Sequence, residues 1–168
     1  MSRPTAAPVI GIREPGALDL VQLLLQQGVM VRIRVSGDSM RPLLQGGELV
    51  EVAPLGRTIP RLGDILFIRS RLDAPIIHRL IWRRSQNDGP QLLTKGDACP
   101  VFDGFIPAEQ VLGRVERIFT SDNQEVVSLQ APLMRLRTTF VVSHVLLVHL
   151  GRKINVWKKD CRLLPSTR

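Results

Sequence analysis

The chain predicts a mainly β fold, and three features carry that expectation. Short apolar segments recur between residues 29 and 119. Residues 29–35 alternate apolar (Val29, Val31, Ile33, Val35) with basic (Arg32, Arg34), the period of a half-buried strand. Twelve Pro and 13 Gly separate the segments, which argues against a bundle of long helices.

Residues 1–15, ending in Pro15, read as a flexible arm. Asp19 to Gln27 reads as a short helix with Leu20, Leu23 and Leu24 on one face and Gly28 as its stop. After the strand 29–35 comes the turn Ser36-Gly37-Asp38-Ser39-Met40-Arg41-Pro42. Further strands follow at 48–52, 65–69, 76–82, 91–94 and 111–119. The turns between them include Gly46-Gly47 and Asn87-Asp88-Gly89-Pro90. The expected organisation is an arm over 1–15, a β domain over 16–120 and a basic, helical tail over 121–168. In the tail, Leu133, Leu136, Phe140, Val141, Val145 and Val148 recur at helical spacing, with Arg135, Arg137, Arg152, Lys153, Lys158 and Lys159 on either side. The apolar run 138–150 would rise only about 20 Å as a helix, against roughly 30 Å of bilayer hydrocarbon. It therefore reads as a helix packed on the β domain, lying at a membrane surface, or holding a partner.

The chain has 168 residues, 44% hydrophobic and 23% charged, which is ordinary globular usage and excludes a disordered chain. Its net charge is +8, from 23 basic and 15 acidic side chains. Such a balance favours a membrane surface or an acidic partner. Nucleic acid is not expected, because five Phe, two Trp and no Tyr leave few faces for base stacking. Cys99 and Cys161 match no metal spacing and read as free thiols, and His144 and His149 fall on different helix faces. No metal or cofactor is expected. The N-terminal residues lack the apolar core of a signal peptide or anchor, so the expected location is cytoplasmic, or peripheral on the cytoplasmic membrane.

Four residues are candidates for chemistry. Ser39 leaves a strand into a glycine-containing turn, where a hydroxyl can project beside free amide N–H groups, although most such serines only form turns. His78 lies in an apolar strand, a setting that is often structural but also suits a neutral base. Asp97 and Asp103 each precede or follow a turn. Either can form that turn, and either can orient the Nδ1 of a histidine.

Taken in order, five blocks resemble the type I signal peptidase superfamily. They are Ser36 to Pro42, Gly63 to Leu66, Ile76 to Leu80, Thr94 to Asp97 and Leu112 to Val115. The resemblance covers roughly residues 30–119, and histidine followed by arginine at 78–79 is similar to the Ser-His branch found in endoplasmic-reticulum, archaeal and sporulation-type members. It implies a signal-peptidase-like β domain and a serine endopeptidase that binds an extended leader- or signal-like peptide with small residues before the cut. Ser39 would be the nucleophile and His78 the base. Lys95 would belong to the Thr-Lys-Gly-Asp block without acting as base. Asp103 is preferred as the residue orienting His78, with Asp97 as a structural or supporting acid. The chain departs from the family in having no N-terminal anchor, in Cys99-Pro100-Val101-Phe102 where an Asn-rich connection is usual, in Glu48 where Asp is commoner, and in Gly37 where some members place an oxyanion-stabilising serine. Rival expectations are a catalytically idle peptide-binding or membrane-docking domain and a self-cleaving regulator.

Overall fold

The computed structural model describes residues 7–129, apart from Arg13, Arg57 and Asp88, together with Val142. The expected helical tail and its basic flanks lie outside the described residues, as do Cys161, His144 and His149. Among those described, the fold is mainly β, with one α-helix. In chain order the elements are β1 (Val9–Ile10), α1 (Ala17–Gln26), β2 (Val31–Arg34), β3 (Leu49–Ala53), β4 (Ile65–Arg69), β5 (Pro75–Gln86), β6 (Gly89–Lys95), β7 (Phe105–Pro107), a 3₁₀ turn at Ala108–Gln110, β8 (Val111–Phe119) and β9 (Glu125–Ser128). The strands form one open sheet in the order β1-β2-β3-β8-β4-β5-β6-β7, with β9 also paired to β8. Among the described residues no helix is long and apolar enough to cross a membrane.

The strands expected at 65–69 and 111–119 fall where the sequence places them, and the others differ by a few residues at their ends. Val31 and Ile33 are buried while Arg34 is exposed, as the alternation requires. The sheet nevertheless extends past both limits of the 16–120 span. Within the segment read as a flexible arm, Val9 and Ile10 pair in parallel with Arg32 and Ile33, and the Arg32 N–H donates to the Pro8 carbonyl at 2.7 Å. Within the segment read as a helical tail, Glu125–Ser128 is a strand on β8.

Helix α1 turns a different face to the core from the one expected. Ala17, Leu18, Val21 and Leu25 are buried, whereas Leu20 and Leu23 are half exposed and only Leu24 of the expected trio packs against the core. Apolar residues surround most of this helix, so spacing alone does not single out its inner stripe. The stripe that packs, 18, 21 and 25, reaches Ile33, Val52 and Val115 in the main core. Arg69 ties the helix to β4 by donating to Asp19 at 2.7 Å and to Gln22 at 2.9 Å. Its hydrogen bonds to Asp73 and then to Asp19 raise the guanidinium pKa above its ordinary value.

A second, smaller cluster (Leu66, Ile68, Leu80, Leu92) lies between β4, β5 and β6. Around the middle of β3 the sheet buries a charge. Glu51 is 1% exposed and stands in register between Arg32 of β2 and Arg117 of β8. Arg32 donates to it at 3.2 Å, Arg117 pairs with its other oxygen, and the Arg32 guanidinium lies 3.9 Å above the Phe119 ring. A buried carboxylate is tolerable only with such partners. Glu51→Ala is therefore expected to lower the unfolding free energy by about 3 kcal/mol, because it leaves the largely buried Arg32 without its charged partner and with only the neutral Asn123 Oδ1 as acceptor. Urea denaturation followed by circular dichroism measures the loss.

Candidate active site

Three segments converge at the candidate site. The turn after β2 brings Ser39. The first half of β5 brings His78, which pairs in register with Leu66 of β4 and is 8% exposed. The chain between β6 and β7 brings Asp103. Asp103 is fixed twice to β6: its N–H donates to the Thr94 carbonyl at 3.0 Å, and its Oδ2 accepts from Thr94 Oγ1 at 2.8 Å.

His78 bridges the other two. Its Nδ1 lies 2.6 Å from Asp103 Oδ2 and its Nε2 lies 3.1 Å from Ser39 Oγ. A carboxylate oxygen only accepts, so the proton sits on Nδ1. Nε2 is then left as an acceptor for the Ser39 hydroxyl. The three residues form one hydrogen-bonded chain, hydroxyl to imidazole to carboxylate, with the geometry of an activated nucleophile.

Asp97 does not join this chain. It receives two hydrogen bonds from Arg79, from Nε at 2.7 Å and from the terminal nitrogen at 2.6 Å, and Arg79 also donates to the Gly63 carbonyl at 2.9 Å. Arg79 follows His78 in β5 and is 3% exposed, so the Asp97 pair neutralises a buried cation behind the imidazole. Of the two aspartates left open by the residues alone, Asp103 thus contacts His78, and Asp97 has a supporting place. Lys95 is buried and donates to the Gly96 carbonyl at 3.1 Å.

The turn at Gly96 fits against the Ser39 segment. A Cβ on Gly96 would lie 2.7 Å from the Ser39 carbonyl oxygen and 2.9 Å from His78 Nε2, distances that real side chains do not adopt. Next to it, the Ala98 N–H donates to the Ser39 carbonyl at 2.9 Å. The N–H of Ser39 itself donates to no protein group among the described residues, which leaves it available to a developing oxyanion. These roles of Thr94, Gly96 and Ala98 were not readable from residue type, because each depends on a backbone approach between segments distant in sequence.

Ser39 and His78 open into a groove of about 150 Å³, walled by Ile12, Val35, Met40, Ile76 and Ile77. Ile12 comes from the segment that the sequence reads as an arm, and no local signal marks it. Residues 75–78 of β5 pair with β4, while pairing with β6 begins only at Arg79 opposite Lys95. On its side away from β4, this stretch has no partner strand among the described residues. Among those residues there is also no group of three or more His, Cys, Asp or Glu side chains placed to hold a metal ion. No protein-family model matches the chain, and no curated protein sequence matches it.

The two aspartates are expected to separate cleanly on substitution. Asp97→Ala should cost about 3 kcal/mol of unfolding free energy, because it strands the Arg79 charge. Asp103→Asn should cost about 1 kcal/mol, a hydrogen bond's worth, yet shift the ¹⁵N resonances of His78 away from the Nδ1–H tautomer. Urea melts and imidazole ¹⁵N spectra of the two variants check both halves.

Proposed function

We propose that the protein is a serine endopeptidase of signal-peptidase type, acting through Ser39, His78 and Asp103 on an extended peptide with a small residue before the cut. The observation that supports this most is the continuous hydrogen-bonded chain from Ser39 Oγ through His78 to Asp103, at the floor of an open groove. The five blocks that resemble the type I signal peptidase superfamily, with histidine at position 78, point the same way.

In the proposed reaction, an extended peptide lies along residues 75–78, whose outer side has no partner strand, with its scissile carbonyl over Ser39. Ser39 Oγ attacks the carbonyl carbon while His78 Nε2 takes the hydroxyl proton. Asp103 holds the ring in the Nδ1–H tautomer and stabilises the imidazolium that forms. The oxyanion meets the Ser39 N–H, so the oxyanion hole rests on backbone even though Gly37 stands where some relatives of this class carry a serine. Collapse of the intermediate returns the proton from Nε2 to the leaving amine and leaves an acyl ester on Ser39. Water, deprotonated by the same imidazole, then releases it. The narrow groove, bounded by Ile12, Met40 and Ile76, favours a small side chain next to the attacked carbonyl.

Nucleophile and base act as one unit, so their removal is not additive. Ser39→Ala and His78→Ala are each expected to lower kcat/KM for an Ala-Ala-containing peptide by several orders of magnitude, and the double variant should be no slower than either. Chromatographic assay of peptide products measures this. Turnover by Ser39→Ala equal to that of the unsubstituted protein would remove the proposal.

A further inference from the structure

Two side-chain hydrogen bonds reach the Asp103 carboxylate, and they meet on one oxygen. His78 Nδ1 lies 2.6 Å from Oδ2, and Thr94 Oγ1 lies 2.8 Å from the same atom. A carboxylate oxygen only accepts, so the Thr94 hydroxyl donates to it beside the imidazole N–H. An ionised oxygen has lone pairs for both donors.

The two residues joined there differ in how firmly they are held. Thr94 is 1% exposed, lies near the end of β6 and pairs in register with Leu80 of β5. Leu80 is two residues beyond His78, so strand alternation sets Thr94 on the His78 side of the sheet. Asp103 belongs to the stretch 96–104 between β6 and β7, which forms no strand, and its side chain is 24% exposed. Its N–H is bound to the Thr94 carbonyl, but a backbone bond leaves the side-chain torsions free. Turning the carboxylate outward would exchange the imidazole for water. The Thr94 hydroxyl opposes that turn. It is buried, so it would lose its acceptor with no solvent to replace it.

Resting on the proposed peptidase reading, we infer that Thr94 is a positioning residue for that reaction, whose hydroxyl locks Asp103 Oδ2 against His78 Nδ1. Thr94 does not line the groove at Ser39, so it acts through Asp103 and not on the peptide. By fixing Oδ2 it maintains the Nδ1–H tautomer, which leaves Nε2 free for the Ser39 proton. It also keeps the carboxylate in place as the ring becomes an imidazolium. Its contribution therefore falls on turnover and not on substrate binding.

The test compares the full chain with Thr94→Ser, Thr94→Val and Thr94→Ala. Serine keeps the hydroxyl and drops the methyl, valine keeps the shape and drops the hydroxyl, and alanine drops both. Turnover of an Ala-Ala-containing peptide is measured, and melting curves confirm that each variant is folded. Thr94→Val and Thr94→Ala are expected to lower kcat by roughly tenfold or more with KM within about twofold, while Thr94→Ser retains most of the turnover. Should Thr94→Val fail to fold, Thr94→Ser against Thr94→Ala makes the same comparison. In an Asp103→Asn background the loss should shrink to within about twofold, because Thr94 then has no carboxylate to position. Unchanged kcat without the hydroxyl, a loss carried by KM, Thr94→Ser as slow as Thr94→Ala, or a loss undiminished in the Asp103→Asn background overturns the inference and leaves the peptidase reading intact. If the unsubstituted protein cuts no peptide, the peptidase reading fails, and imidazole ¹⁵N spectra of His78 decide the inference. A shift away from the Nδ1–H tautomer in Thr94→Val and Thr94→Ala but not in Thr94→Ser sustains it, and any other pattern overturns it.

Discussion

Two turns pack against each other at the site, and the rest of the arrangement depends on their contact. Gly96 packs where a Cβ would lie 2.7 Å from the carbonyl oxygen of Ser39, and the neighbouring Ala98 N–H binds that same oxygen. This fixes the serine peptide from behind. Its hydroxyl is presented to His78, and its own N–H has no protein acceptor among the described residues, so in the proposed reaction the same stretch of backbone would offer an oxyanion a donor. Because β6 runs directly into this turn, Thr94 lies close enough to hold Asp103 while Gly96 holds Ser39. One strand end therefore organises both flanks of the imidazole.

Buried charge completes the support. The bidentate pair between Arg79 and Asp97 lies one residue beyond His78, and the Arg79 guanidinium also binds the Gly63 carbonyl. Removing Asp97 would leave that cation with one neutral acceptor in a site it cannot leave. On the other side of the sheet centre, Glu51 between Arg32 and Arg117 joins three strands in the same manner. Both clusters are costly to break: the one at Glu51 ties three neighbouring strands in register, and the one at Arg79 ties β5 to the turns at Gly63 and Asp97.

Much of this was legible in the sequence, for identifiable reasons. Strand β2 was readable because its two faces differ in chemistry, and β4 because its apolar run follows a glycine-aspartate turn. Ser39 and His78 were readable as candidates because they fall in ordered blocks, while Asp103 lies outside those blocks, and it is Asp103 whose carboxylate hydrogen-bonds to His78. Other features were hidden. The inner face of α1 was misread, because Leu20 and Leu23 are as apolar as Leu18 and Val21, and only the neighbouring sheet distinguishes them. Strands β1, β7 and β9 are two to four residues long, too short for a period to show, and exist through pairing with neighbours. The burial of Glu51 was hidden too, because residue type says nothing of the two arginines in register with it.

The central claim is that Ser39 is a nucleophile activated by His78, and labelling with a fluorophosphonate followed by peptide mapping tests it most directly. The reagent forms a stable phosphonyl ester only with a serine whose proton is taken up as it attacks. The account predicts a single adduct, located on Ser39, and no adduct on the His78→Ala protein under the same conditions. Absence of an adduct on the folded, unsubstituted protein, or equal labelling of Ser39 when His78 is replaced, would contradict it.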